Sequence, residues 1–145
     1  MGFLSGWSPQ LLSVLRIVAG LCFMEHGCMK ILHYPAPMPF ALPPLLMLAG
    51  WIELVGGALI VLGLFTSIAA FIASGETAAA FFGFHATNAL GLAPPTMKHG
   101  WDPMVNGGTE AGLYAVIFLY LAAAGGGAWA LDAIFNRRRG LDPVS

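Results

Sequence analysis

The stretch PLLMLAGWIELVGGALIVLGLFTSIAAFIASGETAAAFFGFHATNAL, Pro44 to Leu90, is predominantly apolar and breaks only at the short LFTS of Leu64–Ser67. Each half, Pro44–Phe65 and Ser67–Leu90, offers the roughly 20 apolar residues that a helix needs to cross a bilayer. The stretch therefore predicts two spans folded as a tight helical hairpin. Working outward, Gln10–Leu32 and Glu110–Phe135 are long enough to be a first and a fourth span. The connectors HYPAPMPFALPP (His33–Pro44) and GLAPPTMKHGWDPMVNGGT (Gly91–Thr109) are rich in proline, which blocks helix. No segment alternates as a strand or an outer-membrane barrel would. The expected fold is all-α, a four-transmembrane-helix bundle forming one domain over residues 1–145.

Composition agrees. Of the residues 58% are hydrophobic and 9% charged, against roughly 45–50% and about 25% in a soluble domain. With a mean hydropathy of +0.79, too little polar surface exists to cover a soluble globule, so the chain reads as an integral membrane protein in contact with the lipid bilayer. A net charge of −1 offers no basic field, which excludes nucleic acid as a partner. The N-terminal MGFLSGWSPQ lacks the positive charge of a signal peptide. Cytoplasmic loops favour Lys and Arg, so NRRR (Asn136–Arg139) points inward. Four spans then place both termini on the cytoplasmic side and both long connectors outside. Cys22 and Cys28 share one helix roughly 9 Å apart by rise, beyond the reach of a disulfide.

Each ionisable group at a bilayer centre costs at least about 2.5–3.5 kcal/mol, so the polar letters inside the spans carry information. By helical rise, Glu25, His26, Lys30, Glu53, His85 and Glu110 fall in the outer half of the bundle, and Arg16 and Glu76 in the inner half. At 100° per residue Arg16, Gly20, Phe23, Gly27 and Lys30 form one stripe, with glycines that permit close helix approach. Ala49, Glu53 and Gly57 recur every four residues on the second helix. The expectation is an inward Glu53 paired with Arg16, either as a polar site or as an ion pair that only fixes register. His26, Lys30 and His85 are expected to share an outer polar site, or else to be hydrogen-bonded interfacial residues. Glu25 lies opposite Arg16, and Glu76 opposite His85, which predicts that both glutamates face outward toward a protein partner. Small Ala69, Ala73 and Ala80 accompany Glu76 on that stripe. There is no HxxxH or HExxH spacing, so no metal site is expected.

Several of these segments resemble the DoxX family. RIVAGLCFMEHGCMKIL (Arg16–Leu32) is similar to its first-helix signature, an arginine followed by an HGxxK-type end. GWIELVGGALIVLGLFTSIAA (Gly50–Ala70) resembles the second segment, and His85 falls where a third-helix histidine is common. NGGTEAGLYAVIFLYLAAAGGGAWALD (Asn106–Asp132) resembles the closing segment, where a glycine-rich turn precedes a Ser-Leu-Asp-like end. The chain departs from the pattern at Thr66-Ser67, where a basic residue is usual, and at Gly126 and Ala130. The resemblance implies a small four-helix protein of the bacterial cytoplasmic membrane, with relatives serving as the membrane subunit of thiosulfate:quinone oxidoreductase. Such a role implies quinone as the small-molecule partner, with His26, Lys30 and His85 offering donors and Glu53 relaying protons. Phe81, Phe82, Phe84 and Tyr114 are candidates to line the slot, or simple packing residues. The alternative is a non-catalytic subunit that packs against other membrane proteins or against itself. A transporter is disfavoured because the two halves show no internal repeat.

Overall fold

The computed structural model describes residues 2–138. Arg139 of the NRRR run lies outside them. Helix α1 (Ser8–Gly27) opens with proline in its first turn and continues as a π-helical segment, Cys28–Leu32. Helix α2 (Pro44–Leu62) also starts on a proline and stops at Gly63, whose positive φ of 68° a glycine adopts without strain. Helix α3 (Thr66–Ala79) follows and again ends in a π-helical segment, Ala80–Ala86. A short α4 (Pro103–Asn106) precedes α5 (Thr109–Ala124) and α6 (Leu131–Arg138). There is no strand among the described residues. The runs Ser5–Leu32, Pro44–Leu62 and Thr66–Ala86 are long and apolar enough to cross a membrane; Thr109–Ala124 is a shorter apolar helix.

The expected span from Glu110 to Phe135 is thus divided. Gly125 and Gly127 carry positive φ values of 80° and 77°, so the helix ends at Ala124 and the chain turns before α6. The turn is held in place: Ala128 N–H donates to Pro9 O, and Asp132 N–H donates to Gly63 O. The Asp132 carboxylate accepts from the N–H groups of Phe65 and Thr66 and from the Thr66 hydroxyl, capping α3 from outside its own sequence.

Helix α1 packs along α2, α3 along α5, and α2 also meets α3. Glycine sets the first contact. A Cβ at Gly57 would lie 2.8 Å from the backbone N of Met24, so a side chain there would push α1 away. Between the pairs lies a core of Ala19, Phe23, Ile60, Ala69, Ala70, Ala73, Phe118 and Leu121, with the Phe23 and Phe118 rings edge-on at 4.9 Å. The opposite faces expose Val14, Val18, Trp51, Val55, Phe71, Val116 and Leu119, an apolar exterior suited to lipid.

Arg16 is fully buried at the end formed by the α2–α3 turn and the glycine turn. Its Nε donates to Gly126 O at 2.8 Å, and one terminal nitrogen donates to Ile60 O and Val61 O. The Ile60 and Val61 carbonyls belong to the last turn of α2, where orphaned acceptors and the negative end of the helix dipole favour a cation. This corrects the expected pairing of Arg16 with Glu53. Glu53 lies roughly 10 Å of helix rise from Ile60, out of the reach needed, and backbone carbonyls take the guanidinium instead.

Candidate functional site

At the other end the bundle opens into a cavity of about 470 Å³, within the roughly 300–1,000 Å³ typical of ligand pockets. Four helices and the two connectors build it. Helix α1 and its π-segment contribute Phe23, His26 and Lys30, and the first half of α2 contributes Leu45, Leu46, Leu48, Ala49, Ile52 and Glu53. Helix α3 and its π-segment supply Glu76, Phe84 and His85, and the start of α5 supplies Glu110 and Tyr114. The proline-rich connectors fold back over the mouth with Met38, Phe40 and Met97, joined by Leu90 just before the second of them.

Lys30 Nζ meets Glu53 Oε1 at 2.5 Å, with their side chains 12% and 7% exposed. The bare Cα of Gly50 allows this: a Cβ there would fall 2.8 Å from the Lys30 Cβ, so the lysine stem lies directly on α2. His26 Nδ1 donates to Cys22 O at 3.0 Å, one turn back on its own helix. Its Nε2 stands 3.5 Å from Glu110 Oε2, while Glu110 Oε1 accepts from the Tyr114 hydroxyl at 3.0 Å. His85 Nδ1 donates to Asn106 O at 3.0 Å. Asn106 is itself buried, donating to Gly100 O and accepting from Gly108 N–H, so the second connector fixes the ring. Two carboxylate oxygens, Glu53 Oε2 and Glu76 Oε2, are buried with no hydrogen-bond partner among the described residues.

His26, Lys30, Glu53 and His85 thus line one cavity, and Arg16 stands apart from it. Glu25 is exposed on the outer face of α1. Glu76 requires a correction, because it faces the cavity, while Ala69 and Ala73 are core residues. Spacing of 100° per residue set Glu76 opposite His85. The π-segment between them closes i→i+5 turns, which hold more residues per turn and advance less per residue. Both side chains therefore reach the same side. Of the four aromatics read as lining, Phe84 and Tyr114 line the cavity; Phe82 is exposed, and Phe81 packs against Gly108, at the N-cap of α5, and Gly112 within it. Met38, Phe40 and Met97 escaped the sequence reading. Their signal was apolar side chains inside connectors that a fully solvated loop does not need.

Among the described residues no three His, Cys, Asp or Glu side chains group as metal ligands would. The cavity is an apolar chamber with polar groups clustered in it, suited to holding an amphipathic small molecule and exchanging hydrogen bonds with its polar end. No solved structure matches the chain. A protein of Haemophilus influenzae (strain ATCC 51907 / DSM 11121 / KW20 / Rd), described as an uncharacterized protein, is 40% identical over 142 residues, covering 95% of this chain and 100% of that one. The family model for DoxX matches residues 11–86, which include Arg16, the HGxxK-like end, Glu53 and His85. With the ordered helices and this match together, the chain belongs to the DoxX family of membrane proteins.

Proposed function

We propose that the chain is an integral membrane subunit of a redox complex and that its cavity receives the headgroup of a quinone-type lipid. One observation carries this reading: about 470 Å³ of chiefly apolar space into which His26, Lys30, Glu53, Glu76 and His85 all face. A quinone is an apolar molecule with two polar ring oxygens, and such a chamber meets both requirements. The quinone supplies the electron chemistry when bound; these side chains bind it, orient it and stand ready to hold protons. Glu53, paired with Lys30, is the proton-holding group, while the thiosulfate:quinone oxidoreductase relatives make a partner subunit the source of electrons. The test is extraction of gently purified protein. A quinone should be recovered in near-equal amount with the wild type and lost from Ala49→Phe, which fills the cavity wall. No quinone from the wild type, together with no binding of added short-chain quinone, rules the reading out.

The same reading includes a single domain of four spans in the bacterial cytoplasmic membrane, with both termini cytoplasmic and the cavity opening outward. The hydrogen bonds from the glycine turn to Pro9 and from Asp132 to Gly63 support an antiparallel arrangement, because they gather the start of α1, the α2–α3 turn and the end of α5 at one end. The 16-residue α5 rises roughly 24 Å, short of the roughly 30 Å hydrocarbon core, a mismatch that local thinning accommodates. In a Cys22→Ser/Cys28→Ser background, an impermeant thiol reagent added to intact cells should label Thr96→Cys and spare Ser5→Cys. The reverse pattern inverts the topology.

A second reading, an accessory subunit packed against other membrane proteins or a second copy, is favoured by Glu25. This carboxylate is exposed beside Leu21 and Val18 on the apolar exterior, where lipid offers it no partner. Glu25→Leu should then release a copurifying membrane protein or dissociate a self-assembly. An unchanged assembly removes that support.

A further inference from the structure

Most of the open hydrogen-bonding atoms of the cavity are acceptors. His26 and His85 each direct Nδ1 at a backbone carbonyl, Cys22 O and Asn106 O, both at 3.0 Å. A carbonyl only accepts, so Nδ1 carries the hydrogen in both rings; at His85 a neutral imidazole so fixed leaves Nε2 as a lone-pair acceptor, whereas His26 Nε2 is already taken up by Glu110 Oε2. Glu53 and Glu76 line the same cavity, and each keeps Oε2 buried and unpaired among the described residues; Glu53 is only 5% exposed. Among the described residues Lys30 is the sole lysine or arginine lining the cavity, and one N–H of its ammonium is held by Glu53 Oε1. Glu110 is engaged by the Tyr114 hydroxyl and faces His26 Nε2. Apart from the other two N–H groups of Lys30, the unspent capacity is therefore accepting.

A quinone presents two carbonyl oxygens, which are acceptors as well. Its reduced form, the hydroquinone, presents two O–H donors. We propose that the cavity selects by redox state, binding the hydroquinone in preference to the quinone, with Glu53 Oε2 and Glu76 Oε2 accepting the hydroxyl hydrogens. The inference rests on the quinone reading above and specifies which form the site is built for. It is a binding preference alone: O–H···O contacts form, and no electron moves. Physically, a buried acceptor left unpaired is expensive, so a ligand that brings a donor relieves a cost that a ligand bringing another acceptor deepens. The consequence for the bound couple has a definite sign. Tighter binding of the reduced form makes the bound quinone easier to reduce, and a tenfold preference raises its midpoint potential by about 30 mV.

The experiment is an anaerobic pair of titrations on the full chain in lipid nanodiscs. A short-chain benzoquinone and its dithionite-reduced hydroquinone serve as the probes. The hydroquinone should bind roughly tenfold tighter, the factor set by one hydrogen bond to a charged acceptor. Glu76→Gln replaces an acceptor oxygen with a donating amide at nearly constant shape. It should weaken the hydroquinone, leave the quinone as tight or tighter, and bring the ratio toward one. Glu25→Gln, on the exposed face of α1, should leave both affinities unchanged. Equal affinities in the wild type, or tighter quinone, overturn the inference while the quinone reading stands; tighter quinone would mean that the carboxyls act as protonated donors. Absence of binding by either form overturns both. The wild-type ratio decides even where Glu76→Gln does not fold.

Discussion

Lys30 and Glu53 form a contact whose two halves are unequal when separated. Removing the ammonium leaves a carboxylate in a nearly dry pocket, and breaking a buried pair from one side costs about 3–5 kcal/mol. Lys30→Met should therefore lower stability by that amount in detergent unfolding. Lys30→Met/Glu53→Leu, which removes the stranded charge too, should recover most of it. Singles that simply add in the double would show that the two groups do not interact. That the costly letters His26, Lys30, Glu53 and His85 share one half of the bundle was legible from helical rise, although Glu53 was expected on Arg16 rather than in one cavity with the other three. The partners were not. Arg16 bonds to the carbonyls of Ile60, Val61 and Gly126, and a backbone carbonyl has no letter in a sequence. Glu76 was misfaced because the winding of residues 80–86 departs from the period that angle counting assumes.

Among the elements, α3 depends on a residue far along the chain for its start. Its N-cap Phe65 has no side-chain oxygen, and Asp132 at the head of α6 takes over, holding two backbone N–H groups and the Thr66 hydroxyl. Asp132→Ala should cost about 0.5–2 kcal/mol, the range for a lost helix cap. Asp132→Asn, which keeps one acceptor oxygen, should fall between. The measurement is thermal unfolding, with hydrogen exchange expected to rise first at Thr66–Ala69. Exchange that rises elsewhere would assign Asp132 a different role. The existence of four apolar segments was legible from length and composition. The break at Gly125–Gly127 was not, since glycine alone does not decide: Gly56 and Gly57 stay helical inside α2, and at Gly57 the close passage of α1 leaves no room for a side chain.

Taken whole, the molecule has a closed end, where Arg16 and Asp132 tie helix termini and the glycine turn together, and a hollow end, where two helices finish in π-segments and two connectors cover the cavity. The Arg16 bonds carry a further consequence, for the birth of the protein. Its acceptors lie 44, 45 and 110 positions away, so the arginine is synthesised long before they exist. At about 5–20 residues per second the Gly126 carbonyl follows Arg16 by roughly 6–20 s. Through that interval the first helix carries an uncompensated charge costing about 2.5–3.5 kcal/mol in the membrane interior. A nascent chain stopped at residue 43 should thus insert its first helix incompletely, and one extended through Gly127 should insert it fully. Arg16→Leu should erase the difference, whatever it does to the finished protein. A reporter of translocon insertion that reads equal values for the short and long wild-type chains would show instead that α1 enters the bilayer alone, its arginine satisfied by water or lipid headgroups until the later helices arrive.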